Sequence, residues 1–134
     1  MDPYVTLEDI PVMFVRSRSG PKGAREAFDT LESRLANLKG RRFYGTFLNG
    51  EYCACVARIS TDEPATAKLE EGTIPGGVYA RRKIDDWESK VPRLALMFEE
   101  MASQNPVDVT RPSVEFYRSQ KELILLLPVR ASEK

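Results

Sequence analysis

Residues 42–59 read RFYGTFLNGEYCACVARI, two runs of alternating character broken at Asn49-Gly50. Asn-Gly is the strongest short signal for a two-residue hairpin loop, because a type I′ turn needs positive φ at both central positions. The stretch is therefore predicted to be an antiparallel hairpin. Upstream, Phe28, Leu31, Leu35 and Leu38 recur at spacings of 3, 4 and 3. They form one stripe of a helix expected from about Ala24 to Leu38, with Gly40 as its stop. Before that helix, IPVMFVRSR (residues 10–18) has the composition of a strand.

The same order recurs downstream. GGVYARRKI (76–84), with IPGG (74–77) as its turn, reads as a strand. Val91, Leu94, Phe98 and Met101 then repeat the 3, 4, 3 stripe over a helix expected from about Ser89 to Ser103. Pro92 puts the regular part of that helix at or just before itself, with Ser89 or Asp86 as the cap. SVEFYRSQKELILLLPV (113–129) closes the chain as a second hairpin, with a weaker turn signal near Ser119-Gln120. In this alignment Phe28 maps onto Val91, Phe14 onto Tyr79, Gly45 onto Glu115 and Phe47 onto Tyr117.

The expected fold class is α+β, a tandem β-α-β-β repeat. Repeat one spans about 4–60, a polar linker with Pro64 and Pro75 about 61–75, and repeat two about 76–130, all within a single domain of residues 1–134. About three strands and one helix cannot cover both faces of a sheet. The halves are thus expected to associate about a pseudo-two-fold axis, giving an antiparallel sheet, two main helices and a central ligand cleft. Phe14, Phe47 and Tyr52 from the first half and Tyr79, Trp87 and Tyr117 from the second are candidate walls of that cleft. Their alternative role is ordinary core.

Glu115 is the anomaly of RPSVEFYRSQKELILLLPVR (111–130). In a strand it shares a face with Tyr117, while Val114 and Phe116 point the other way. It is either a solvent-facing residue or a carboxylate waiting in a pocket for a positively charged guest. Its repeat counterpart is Gly45, which suggests that the strand position folds without an acid.

Composition excludes several chemistries. Lys plus Arg and Asp plus Glu each number 20, so no net field attracts nucleic acid or an anionic membrane. The basic runs RSRSGPKGAR and ARRK read as loops and strand edges. Without histidine there is no Ser-His-Asp or Cys-His arrangement and no His-ligated metal. The glycines of GRRFYG and PGGVYA match neither a P-loop nor a dinucleotide fingerprint. Cys53 and Cys55, two apart on one strand face, are poorly placed to bridge each other and too few for a closed zinc site. They are read as small buried residues, and no cofactor or metal is expected. The acidic start MDPYVTLEDIP lacks the apolar core of a secretion signal, and no run approaches a membrane span, so a cytoplasmic protein is expected.

Taken in order, VTLEDIPVMFV, GGVYARRKI, a helix, RPSVEFY and a closing LILLLPV resemble the GyrI-like small-molecule-binding domain, the effector-binding domain of bacterial multidrug-responsive transcription activators. The most specific element is P-x-x-E-x-Y followed by a hairpin and an apolar strand ending in Pro-Val: Pro112, Glu115, Tyr117 and Pro128-Val129. The resemblance spans essentially the whole chain. It implies a tandem β-α-β-β fold whose cleft accepts amphipathic, often cationic, aromatic compounds. The family's acidic residue maps onto Glu115 and its aromatic walls onto Tyr117, Tyr79, Trp87 and Tyr52. The segment DDWESKVP departs from the family's usual helix entry. There is also no room for a helix-turn-helix, so no direct DNA binding is expected.

Three functional readings follow. The first is binding of an amphipathic, cationic aromatic small molecule. The second is an enzyme, a hydrolase of electrophilic, cyclopropane-bearing genotoxins, with Glu115 activating water and Tyr117 or Tyr79 donating a proton. The third is an interaction module that modulates a protein partner such as gyrase.

Overall fold

The computed structural model describes residues 2–130. Eight strands form one antiparallel sheet: β1 (Tyr4–Leu7), β2 (Ile10–Arg16), β3 (Phe43–Leu48), β4 (Glu51–Ala57), β5 (Glu70–Ile74), β6 (Gly77–Asp85), β7 (Ser113–Tyr117) and β8 (Glu122–Pro128). The helices are α1 (Ala24–Ser33), the single turn α2 (Pro64–Ala67) and α3 (Leu94–Gln104). Among the described residues, no helix is long and apolar enough to cross a membrane.

The local signals account for the hairpins. Asn49 and Gly50 both take positive φ, 52° and 82°, as a type I′ turn requires. At the second hairpin the Ser119 hydroxyl oxygen accepts the backbone N–H groups of Lys121 and Glu122, which replaces the missing turn glycine.

Strand order makes the internal symmetry visible: β1-β6-β8-β7-β3-β4-β2-β5. Reading outward from the β7/β3 join gives matching halves, β3-β4-β2-β5 on one side and β7-β8-β6-β1 on the other. At the join Gly45 lies directly opposite Glu115. The edge strands are exchanged between the halves. β1, assigned to repeat one by sequence, pairs with β6. Residues 61–75, expected to be a linker, hold α2 and β5, and β5 pairs with β2.

That exchange forces the sheet to curl. β1 sits at one edge and β2 beside the other, yet only Glu8 and Asp9 connect them. Likewise, only Pro75 and Gly76 connect β5 to β6. The two links touch, with the Gly76 N–H donating to Asp9 Oδ1 at 2.6 Å. The inner face of the curl holds Val12, Tyr44, Cys53, Cys55, Ile74, Tyr79, Val114, Ile124 and Leu126. On the outer face α1 covers Met13, Ala54 and Val56, and α3 covers Ala80, Leu123, Leu125 and Leu127. The LILLL run of β8 is apolar throughout because it is buried on both faces.

Several boundaries differ from the sequence reading. α1 ends at Ser33, where the Arg34 guanidinium reaches across to the Lys68 carbonyl, so Leu38 lies beyond the helix and is 42% exposed. The 3₁₀ turn Trp87–Arg93 accommodates Pro92, and α3 begins only at Leu94. Val91, placed on the buried stripe, is 50% exposed in consequence. Pairing of Val12 with Ala57 and of Tyr79 with Pro128 makes Val12, rather than Phe14, the counterpart of Tyr79.

Candidate functional site

The outer face at the join carries the candidate site. β7 presents Glu115 and Tyr117 there, and β4 presents Tyr52, since Gly45 pairs with both Ala54 and Glu115 and Phe47 pairs with Tyr52. α1 brings Phe28 from one side, and the turn before α3 brings Trp87 from the other. The Tyr52 hydroxyl donates to Glu115 Oε1 at 2.6 Å, and the Tyr117 hydroxyl donates to the same oxygen at 2.8 Å. The two hydroxyl oxygens lie 3.4 Å apart.

Aromatic contacts fix this group. The Tyr117 ring meets Phe28 edge-on at 5.2 Å and Trp87 edge-on at 5.0 Å, while Phe28 also meets Tyr52 at 6.5 Å. The Trp87 indole N–H donates to the Ser119 carbonyl, tying the wall to the β7/β8 turn. Such edge-to-face pairs orient rings as well as bury them.

Electrostatics follow from burial. Removal from water raises the Glu115 carboxyl above its ordinary pKa, against the opposing pull of the two hydroxyl hydrogen bonds. Burial and the neighbouring carboxylate push both Tyr52 and Tyr117 upward, so their hydroxyls stay protonated and act as donors. Among the described residues no Lys or Arg forms an ion pair with Glu115. Among the described residues its charge, when present, is balanced by the dipoles of the two hydroxyls.

Of the residues nominated by sequence, Glu115, Tyr117, Tyr52 and Trp87 come together. Phe47 shares their face two residues along β3 from Gly45 and is 40% exposed. Phe14 and Tyr79 do not join them. Phe14 pairs with Cys55 and packs on the inner face, beside a hollow of about 250 Å³ that also borders Cys53, Gly72 and Ile74. Tyr79 is fully buried on that face, with the Arg111 guanidinium over its ring at 4.8 Å and its hydroxyl donating to the Pro75 carbonyl. Both therefore lie across the sheet from Glu115.

Two participants escaped the sequence reading. The helical spacing marks Phe28 only as a stripe residue. Gly45 matters more, because a Cβ built on it would stand 2.1 Å from the Tyr52 hydroxyl oxygen and 2.6 Å from Glu115 Oε1. Its bare backbone makes room for the hydrogen bond. A glycine inside a strand is itself a signal of close approach by another group.

Neither family models nor curated proteins yield a match to the chain. Solved structures do. An integron cassette protein from the mobile metagenome of Vibrio cholerae matches with a TM-score of 0.73 at 16% identity, over 96% of this chain and 95% of that one. SAV2435, solved bound to tetraphenylphosphonium, matches with a TM-score of 0.61 at 13% identity, over 98% of this chain and 94% of that one. A hydrolase from Listeria innocua matches with a TM-score of 0.58 at 13% identity, over 96% and 90%. At these identities the likeness is one of fold. With its paired halves, exchanged edge strands and curled antiparallel sheet, the chain has the GyrI-like fold expected from its sequence.

Proposed function

We propose that the protein binds amphipathic small molecules that combine an aromatic body with a positive charge, between α1 and the turn preceding α3. The observation that carries this reading is Glu115, a half-buried carboxylate with two hydroxyl donors and no cationic partner among the described residues. Such a group is costly to ionise until a cation arrives, and the faces of Trp87, Phe28 and Tyr117 add cation–π and stacking attraction. Flat aromatic walls tolerate varied shapes, so one acid with several rings favours broad selectivity. The phosphonium bound to SAV2435, a protein of the same fold, is a guest of that chemical type. The absence of net charge argues for a small guest rather than nucleic acid.

Titration of matched cationic and neutral aromatic dyes into wild type and Glu115→Gln tests the reading. The variant keeps an oxygen for the two hydroxyls and loses the charge. The cationic dye is expected to lose about 1–3 kcal/mol, the scale of a charge-assisted contact, while the neutral dye loses little. The empty variant should melt at or above the wild-type temperature, since no unpaired buried charge remains. Equal losses for both dyes would show that Glu115 shapes the fold rather than recognising charge.

One observation favours a hydrolytic second reading. With both hydroxyls on Oε1, the carboxylate's other oxygen is left to hold a water for attack, and Tyr52 or Tyr117 is placed to give up a proton. Tyr79, across the sheet, is not. Mass analysis of each ligand after prolonged incubation separates the readings: unchanged ligand supports binding, and ligand gaining one water supports hydrolysis.

A further inference from the structure

The two oxygens of Glu115 are not equivalent. Oε1 accepts from both Tyr52 and Tyr117, and Oε2 accepts from no described residue. Neither is Oε2 walled in, because the one fully enclosed side-chain polar atom without a partner among the described residues is Nε of Arg41. The carboxylate cannot easily swing to share its donors differently. Tyr52 is 3% exposed and fixed in the sheet, Tyr117 is wedged between Phe28 and Trp87, and Oε1 rests against the bare Gly45 backbone. One oxygen is thus saturated and clamped, and the other keeps its lone pairs for an arriving group.

Building on the proposed binding role, we infer that the guest docks an N–H donor onto Glu115 Oε2, so that the preferred ligands are protonated amines or amidines rather than cations without a donor. A quaternary ammonium or a phosphonium placed in the site displaces water from Oε2 and offers nothing in return, leaving an acceptor unpaired. A protonated amine restores that hydrogen bond in its charge-assisted form. Tetraphenylphosphonium, the guest of SAV2435, has no N–H. This chain is expected to hold it more weakly than an aromatic amine of similar size.

The aromatic walls alone pull the other way, because an N–H cation is the more strongly hydrated of the two. A preference for the amine therefore reports on Oε2 and not on general greasiness.

The test uses one acridine scaffold bearing either a dimethylaminopropyl arm, protonated at neutral pH, or its trimethylammoniopropyl counterpart. Both are titrated by fluorescence into the intact chain and into Glu115→Gln. Wild type should bind the protonated amine about tenfold or more tighter than the quaternary form. In Glu115→Gln that preference should vanish or reverse. Equal affinity, or tighter binding of the quaternary dye, in the wild type overturns the inference, and this comparison needs no variant. If both dyes then weaken in Glu115→Gln, recognition of charge by Glu115 survives the failure. If neither dye binds, or both bind independently of Glu115, the binding role itself falls with it.

Discussion

Gly45→Ala is the sharpest perturbation of this site, because the backbone tolerates it and the neighbours do not. Gly45 lies within β3 and is not among the positive-φ residues, so alanine brings no strain of its own and removes some unfolded-chain freedom. The new methyl, however, would sit 2.1 Å from the Tyr52 hydroxyl oxygen, 2.8 Å from its Cζ and 2.6 Å from Glu115 Oε1. Tyr52 is 3% exposed and cannot simply swing into solvent. Overpacking of a filled site costs about 1–3 kcal/mol, and losing the hydroxyl bond to the carboxylate about 1.5–3 more. Strand propensity returns about 0.5–1 kcal/mol. The net expectation is roughly 1.5–5.5 kcal/mol of destabilisation, a drop in Tm of roughly 5–20 °C for a domain of this size. Urea unfolding of wild type, Gly45→Ala, Tyr52→Phe and the double variant forms a cycle. Removing the hydroxyl relieves the closest approach but leaves Cζ, so Tyr52→Phe should rescue Gly45→Ala by about 1 kcal/mol or more without restoring it fully. A Gly45→Ala protein within 0.5 kcal/mol of wild type, or strict additivity in the cycle, refutes the claim that the glycine makes room for the tyrosine–carboxylate contact.

Three further outcomes are expected. Glu115 is protonated more readily in the folded chain than its ordinary value of 4.5. Between that value and the raised one the native state therefore holds a proton that the unfolded state has released, and stability falls as pH rises through the window. Urea midpoints across pH 4–8 should show this slope in wild type and lose it in Glu115→Gln; an unchanged slope in the variant would place its origin elsewhere. Cys53 and Cys55 lie on the inner face, across the sheet from the site, and burial pushes the Cys55 thiol up to about 12. Aromatic disulfide reagents at pH 8 should leave Cys55 unmodified in the native protein yet titrate both thiols after denaturation. Replacing both with alanine should change dye affinity by less than about twofold, since only packing is removed; a larger change would tie the inner face to binding.

What the sequence made legible was local. The Asn49-Gly50 turn, the doubly buried LILLL strand and the alternation that sets Glu115 beside Tyr117 all rest on neighbours within a few residues. The exchange of edge strands was not legible, because β1 and β5 are short, and each pairs with a strand of the other half or with one far back in the chain. The misplacement of Phe14 has the same root. A strand's own pattern says which residues share a face, but only cross-strand register says which face that is. With Phe14 opposite Cys55, it joins the cysteines, while Tyr52, Ala54 and Val56 face the helices.

Gly45 and Glu115 illustrate why the missing register matters most at the site. As repeat counterparts they suggested a comparison between two equivalent and independent positions, one with an acid and one without. In the sheet they are direct partners across the join, so the pseudo-two-fold passes between them. Whatever one half places there must fit against what the other half places there. Two glutamates would set carboxylates against each other in a buried setting and force one to stay protonated. Any side chain in place of Gly45 would collide with the Tyr52 hydroxyl. A symmetric pair is thus excluded on both electrostatic and steric grounds, and a single acid at the join requires a residue without a side chain opposite it. The asymmetry continues one strand out, where the register relates Tyr52 of β4 to Leu123 of β8. One half therefore contributes the space and one hydroxyl, and the other contributes the carboxylate and the second hydroxyl. The symmetric scaffold brings these unlike parts to the same point, and only their difference makes that point a candidate site.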